Sequence, residues 1–219
     1  MTKDTKISNI GHKSISVIVL ILVNSVAAYA VITNNLNSAS LLLAYWLESL
    51  FFLIFVILKA RKVEKFGPYY NNPRRSKNYI IKAFAKSYIF ILFFYLFFIL
   101  GWIFIPLGTT ISGSDLATKV KLSLNYNTLV SIMVLAIAFI ASHTLSYKLN
   151  FIKYKEYKKT TLYDVMHSPW QRVIIIHAVI VFGMLIKAPD LFLVLVKTLV
   201  DIYGHLNERK KQGSIETNF

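Results

Sequence analysis

Residues 88–107 have the sequence YIFILFFYLFFILGWIFIPL, which contains no Asp, Glu, Lys, Arg or His. A transmembrane helix needs about 20 consecutive, mostly apolar residues to cross the hydrocarbon core of a bilayer. A helix that is apolar on every face is buried in a large core or in a membrane, and it is not stable at a protein surface. The stretch therefore predicts a membrane-spanning helix.

Five further stretches have a similar length and composition. Together with the first, they predict spans at residues 14–32, 40–58, 88–107, 128–147, 170–186 and 190–206. The last two spans are joined only by residues 187–189, a connection short enough to force an antiparallel helical hairpin. We therefore expect an all-α polytopic membrane bundle of six transmembrane helices, with the whole chain, 1–219, forming a single integral membrane domain.

The first span has an alternative interpretation as a cleaved signal peptide. Ala28-Tyr29-Ala30 fits the small-x-small pattern of a cleavage site. The apolar character continues through Ile32, however, which is typical of a retained helix. We expect the span to be retained.

The overall composition excludes several classes of protein. Hydrophobic residues make up 56% of the chain and charged residues only 16%, which is unlike a disordered chain or an ordinary water-soluble enzyme. The chain has no cysteine, so disulfides, thiolate metal sites and cysteine nucleophiles are excluded.

The basic residues predict the orientation in the membrane. The chain has 25 Lys and Arg against 10 Asp and Glu, a net charge of +15. If the N-terminus is cytosolic, most of the basic residues fall in cytosolic segments, and only Lys119, Lys121 and Lys187 fall outside. Cytosolic loops of membrane proteins carry such an excess, so we expect both termini in the cytosol and the chain in a prokaryotic cytoplasmic membrane. The same distribution favours anionic inner-leaflet headgroups, and not nucleic acid, as the partner of the positive charge.

A few ionisable residues fall inside the predicted spans, where a charge at mid-helix costs about 2.5–3.5 kcal/mol. At a rise of 1.5 Å per residue, Glu48 and Lys197 both lie about 13–15 Å from the cytosolic ends of their spans. This common depth favours an ion pair between them. The i, i+4 spacing of Lys197 and Asp201 also allows those two residues to neutralise each other.

The remaining intramembrane polar residues suggest a metal site. By the same arithmetic, His143, His177 and Asp201 lie about 6–10 Å deep, with His205 one turn below Asp201. Imidazoles and a carboxylate are suitable ligands for one divalent metal, Zn, Fe or Mn. The candidate metal ligands are therefore His143, His177, Asp201 and His205.

Other polar residues would complete such a site. Glu48 and Lys197 are its candidate catalytic residues, because a buried carboxylate can act as a general base beside a metal-bound water. Asn150 and Arg172, at cytosolic span ends, are candidates for the mouth through which a substrate enters. At span ends such side chains also commonly satisfy backbone groups or meet phospholipid headgroups.

Four sequence patterns resemble one known family. They are Tyr45-Trp46-Leu47-Glu48, Ser142-His143 followed by Asn150-Phe151-Ile152, Pro169-Trp170-Gln171-Arg172 leading to His177, and 195–201 closing with His205. Together they resemble a domain-of-unknown-function family of bacterial and archaeal polytopic membrane proteins. The resemblance implies about six membrane helices and supplies no reaction.

Three hypotheses about function follow from these residues. The first is an intramembrane metalloprotein, such as a metal-dependent hydrolase, with its site in the cytosolic half of the bilayer. The second is a proton-coupled transporter that uses Glu48, Lys197 and Asp201 as a relay. The third is a non-catalytic membrane subunit. Whether the chain is an enzyme stays open at this point.

Overall fold

The computed structural model describes residues 3–67, 76–104, 125–185 and 189–216. Within these ranges the chain is helical, which confirms the predicted all-α class. The helices are α1 (Lys3–Ile32), α2 (Ser38–Lys62), α3 (Lys77–Phe104), α4 (Tyr126–Ser146), α5 (Leu162–Leu185) and α6 (Asp190–Glu216). A π-helical segment, Tyr147–Lys153, continues α4, and a 3₁₀ turn, Glu156–Lys158, follows it.

Three of the described helical stretches are long and apolar enough to cross a membrane. They are Ala39–Lys62, Lys77–Leu100 and Tyr126–Lys153. These stretches overlap the predicted spans 40–58, 88–107 and 128–147. A shorter apolar stretch, Ile18–Ile32, forms the second half of α1.

Helix α2 is the centre of the packing. It contacts α3, α4 and α5, while α1 packs against α4 and α6. Helices α5 and α6 contact each other, as expected for the predicted hairpin. The core between these helices is formed by large, fully buried side chains that include Leu41, Leu42, Tyr88, Leu92, Tyr95 and Leu135.

Helix α3 has one buried and one exposed apolar face. Phe90, Phe93 and Phe97 are about two-thirds exposed, at 66%, 67% and 66%. These exposed aromatic rings are what a lipid-facing wall requires. On the buried side, the indole Nε1–H of Trp46 in α2 donates a hydrogen bond of 2.8 Å to the backbone carbonyl of Leu92. This bond fixes α3 against α2.

The segment after α2 determines where α5 begins. The backbone N–H groups of Leu162 and Tyr163 donate to the carbonyls of Lys65 and Phe66, at 2.7 and 3.2 Å. The hydroxyl of Thr161 accepts a hydrogen bond of 3.2 Å from the backbone N–H of Asp164, which caps the helix. The helix therefore begins at Leu162, well before the predicted boundary at residue 170.

Candidate functional site

Lys197 is the centre of a buried ionic cluster. Its side chain is only 4% exposed, and its ammonium group lies between two carboxylates. The Nζ atom is 2.8 Å from Oε2 of Glu48 in α2 and 2.5 Å from Oδ2 of Asp201, one turn further along α6. The two pairings that the sequence offered as alternatives therefore exist together.

Aromatic rings enclose the same ammonium group. Nζ of Lys197 lies 4.9 Å from the ring centroid of Tyr45 and 5.2 Å from that of Phe139. A cation at these distances is attracted by the ring quadrupole. Because Tyr45 is on α2 and Phe139 is on α4, the ammonium joins three helices, α2, α4 and α6.

His143 in α4 is the fourth polar member of this site. Its Nε2 atom is 3.7 Å from Oε1 of Glu48, the carboxylate oxygen that does not face Lys197. This distance is too long for a hydrogen bond but is within the range of an ion pair when the imidazole is protonated. The imidazole ring packs against Phe52 and Phe55, with centroid distances of 5.3 and 5.9 Å. We call Glu48, His143, Lys197 and Asp201 the Lys197 cluster.

The formal charges of the Lys197 cluster do not balance. Two carboxylates and one ammonium sum to one negative charge while His143 is neutral. An uncompensated charge is expensive in a buried site, where water does not screen it. Uptake of one proton, by His143 or by a carboxylate, makes the cluster neutral.

One face of α2 supplies much of the site. Tyr45, Glu48, Phe52 and Phe55 follow each other at spacings of three and four residues, so their side chains project from the same side of the helix. Glu48 was predicted from the sequence as a site residue, and the aromatic residues around it were not. The helical spacing of Tyr45 and Glu48 is the signal that could have found the first of them.

Cytosolic to His143 by the predicted topology, the chain changes from an α-helix to the π-helical segment. The ring of Tyr147 lies 6.0 Å from that of Phe55 and stacks on that of Phe151 at 5.7 Å. Lys59 of α2 lies over the ring of Phe151, at 5.6 Å. Asn150, predicted at a substrate mouth, lies in this segment, and its side-chain amide donates to the hydroxyl of Ser146 at 3.4 Å.

Apart from Asn150, the predicted site residues fall into two groups. Glu48, His143, Lys197 and Asp201 come together in one place. The side chains of His177, His205 and Arg172 lie outside the described part of the structure, although α5 and α6 contain their backbone positions. Among the described residues, no group of three or more His, Cys, Asp or Glu is arranged to hold a metal ion. Instead, the Lys197 ammonium lies between the two carboxylates.

A cleft adjoins the Lys197 cluster. It lies where α2, α5 and α6 meet and is small, with a cavity volume of about 10 Å³, which is room for about one water molecule. Its lining residues are Leu42, Tyr45, Ile176, Leu193, Val196, Lys197 and Val200. Tyr45 and Lys197 therefore belong both to the ionic site and to the wall of the cleft.

Comparison with known proteins identifies a family. The model of a family described as "Family of unknown function (DUF6498)" matches residues 6–217. No curated protein and no solved structure gives a significant match. The match confirms the prediction that the chain belongs to a family of unknown function, and it attaches no activity to that family.

Proposed function

The chain belongs to this family of unknown function, and from its geometry we propose that it is a proton-coupled membrane transporter. In this proposal the Lys197 cluster binds and relays a proton inside the bilayer. One observation supports the proposal above the others, namely that two carboxylates share a single buried ammonium group. The resulting net negative charge favours the binding of a proton by the cluster.

The proposal includes the full membrane topology. We propose six spans with both termini in the cytosol of a prokaryotic cell, because the basic residues lie mainly in the segments this orientation places inside. Exposed basic side chains at the end of α2, among them Arg61, Lys62 and Lys65, suit contact with anionic headgroups of the inner leaflet.

The exposure of the side chains suggests a direction for the relay. His143 and Glu48 are 18% and 14% exposed, whereas Asp201 and Lys197 are 8% and 4% exposed. We propose that a cytosolic proton reaches His143 first and passes to the neighbouring Oε1 atom of Glu48. The attraction between Glu48 and Lys197 then weakens, because a neutral carboxyl group attracts an ammonium less strongly than a carboxylate does.

The metal-dependent hydrolase hypothesis stays a prediction and ranks second. Two of its four ligands, His177 and His205, have side chains outside the described part of the structure. Asp201, its carboxylate, is bound to the ammonium of Lys197 at 2.5 Å. A divalent cation in direct contact with Asp201 would be repelled by that ammonium group.

Infrared spectroscopy of the protein in lipid nanodiscs tests proton binding directly. As the pH is lowered, we expect the wild type to show the carbonyl band of one buried protonated carboxyl group beside the bands of the exposed carboxyl groups, and Glu48→Gln to lack that band. The matched control is Glu64→Gln, because Glu64 is an exposed carboxylate just beyond the end of α2. A titration that is the same in all three proteins would support the non-catalytic subunit. About one metal per chain, lost in His177→Ala, would support the hydrolase instead.

Proton movement is tested in liposomes that contain a trapped pH-sensitive dye. After a pH gradient is imposed, we expect faster equilibration with the wild type than with Glu48→Gln. Glu64→Gln should behave like the wild type. Equal rates for the wild type, Glu48→Gln and empty liposomes would contradict a relay.

A further inference from the structure

A column of aromatic rings extends from His143 toward the cytosolic end of the bundle. The ring of Phe55 contacts the imidazole of His143 at 5.9 Å and the ring of Tyr147 at 6.0 Å. Tyr147 stacks on Phe151 at 5.7 Å, and Phe151 contacts Tyr157 at 6.1 Å. These centroid distances are in the range of attractive aromatic pairs. The five side chains therefore form one continuous row.

Two lysines of α2 bind the cytosolic part of this row. Nζ of Lys59 lies 5.6 Å from the ring centroid of Phe151, and Nζ of Lys62 lies 5.1 Å from that of Tyr157. A cation at such a distance is attracted by the ring. Because both lysines are on α2 and both rings follow α4, these contacts hold the segment after α4 against the end of α2.

The row lies on the path from the cytosol to the Lys197 cluster. At a rise of 1.5 Å per residue, Phe55 lies about 10 Å beyond Glu48 along α2, and Tyr147 lies about 6 Å beyond His143 along α4. Both displacements are toward the cytosol in the proposed topology. The sides of a membrane bundle face hydrocarbon, so water reaches a site inside it from the bundle ends. Water from the cytosol therefore meets these rings before it meets His143.

The burial of the rings and the backbone that carries them indicate a gate. Phe151 is only 2% exposed, and Phe55 and Tyr147 are half-buried. Hydrophobic constrictions in membrane proteins control the passage of water and ions by dewetting. Tyr147 and Phe151 also lie in the π-helical segment, and such segments are frequent at functional sites. We propose that Phe55, Tyr147 and Phe151 form a hydrophobic gate, closed in this structure, that controls the access of cytosolic water and protons to His143.

The gate rests on the proposed function, because it would control the entry of protons to the relay, but its closure is measured without any proton movement. The chain has no cysteine, so the single cysteine of His143→Cys reports the access of water to the position behind the gate. The probe is a charged, water-soluble maleimide. Its rate of reaction with the protein in lipid nanodiscs is followed by mass spectrometry.

Tyr147→Ala tests the gate, because it removes the ring that contacts both Phe55 and Phe151. In the His143→Cys background we expect it to raise the labelling rate by about tenfold, which corresponds to about 1.4 kcal/mol. Tyr147→Phe keeps the ring and should leave the rate unchanged. The matched control is Tyr126→Ala, the same substitution at an exposed position at the other end of α4, and it should also leave the rate unchanged.

A milder variant serves if Tyr147→Ala does not fold. Lys59→Gln removes the cation over Phe151 and keeps every ring, so it should raise the rate by about threefold. Rates that are equal with and without these substitutions would overturn the gate. A rate in His143→Cys alone that equals the rate of an exposed cysteine, such as that of Lys158→Cys, would also overturn it.

The liposome measurement separates the gate from the relay. With the native His143 present, Tyr147→Ala should equilibrate a pH gradient faster than the wild type. Faster labelling in the cysteine experiment together with an unchanged rate of equilibration would support the gate and contradict the relay.

Discussion

Lys197 is paired with two carboxylates, so removing the cation and removing one carboxylate have unequal effects. In Lys197→Met, Glu48 and Asp201 are left facing each other without a counter-charge. We expect a loss of about 3–5 kcal/mol of stability, the usual result of removing one partner of a buried ion pair. Glu48→Gln should cost less, because Asp201 still holds Lys197 at 2.5 Å. Thermal unfolding in detergent measures both losses, and equal losses would contradict this arrangement.

The same pair predicts coupling between the two substitutions. Adding Glu48→Gln to Lys197→Met removes one of the two unpaired carboxylates and should recover part of the stability. We expect a coupling free energy of about 1 kcal/mol or more for side chains in direct contact. Losses that simply add would show that Glu48 and Lys197 do not interact.

Tyr45 provides a test of what its hydroxyl group does. Within the described residues, this buried hydroxyl has no hydrogen-bond partner. Its ring, in contrast, lies 4.9 Å from the Lys197 ammonium. Tyr45→Phe keeps the ring and removes the unpaired hydroxyl, so we expect the melting temperature to stay the same or to rise. Tyr45→Leu removes the aromatic ring and should lower it. A clear loss in Tyr45→Phe would mean that the hydroxyl makes a stabilising contact.

At this scale the sequence predicts charged residues better than their surroundings. Depth along the spans was sufficient to predict the Glu48–Lys197 pair, because the rise of a helix is fixed. The same arithmetic could not choose between Glu48 and Asp201 as the partner of Lys197, and the structure has both. Phe139 was missed, because its place beside Lys197 depends on how α4 is rotated against α2 and α6.

At the scale of elements, the length of the apolar stretches predicted where helices occur. The sequence near the helix ends did not predict the residues at which the helices begin. The expected fifth span began at residue 170, directly after Pro169, because only the apolar stretch was counted. In the structure Pro169 lies inside α5, which begins at Leu162. The hydrogen bonds from Leu162 and Tyr163 to the carbonyls after α2 cross about a hundred residues of sequence. A contact of that range leaves no local pattern.

Gly67 lies next to the residues that bind the start of α5, and we expect its substitution to have a clear effect on stability. Its φ angle is +85°, and a Cβ atom there would lie 2.9 Å from the hydroxyl oxygen of Thr161. Gly67→Ala should destabilise the protein by about 1–2 kcal/mol, since L-residues disfavour this conformation. Gly204→Ala in the helical interior of α6 is the control and should stabilise, because alanine favours a helix by about 1 kcal/mol. Thermal unfolding measures both, and the same sign for both changes would contradict the expectation.

At the scale of the whole molecule, the proposed topology is open to a direct test. Reporter fusions at Asn35 and Asn125 should report the outside of the cell, whereas fusions at Asn71 and Phe219 should report the cytosol. The expectation follows from the excess of basic residues in the segments placed inside. A C-terminus outside the cell would refute the six-span orientation and, with it, the cytosolic entry of protons at His143.

The hydrogen bond from Trp46 to the Leu92 carbonyl has a mechanical consequence for the whole bundle. Because it ties α2 to α3, these two helices should move as one rigid body in any working cycle. Glu48 then belongs to the stationary part, while Lys197 and Asp201 travel together on α6. A displacement of α6 would lengthen the distance between Glu48 and Lys197. The distance between Lys197 and Asp201 would stay the same, because both residues are on α6. Lys197 would then be paired with Asp201 alone, and the Glu48 carboxylate, left without its counter-charge, would become neutral only by binding a proton from outside the cluster.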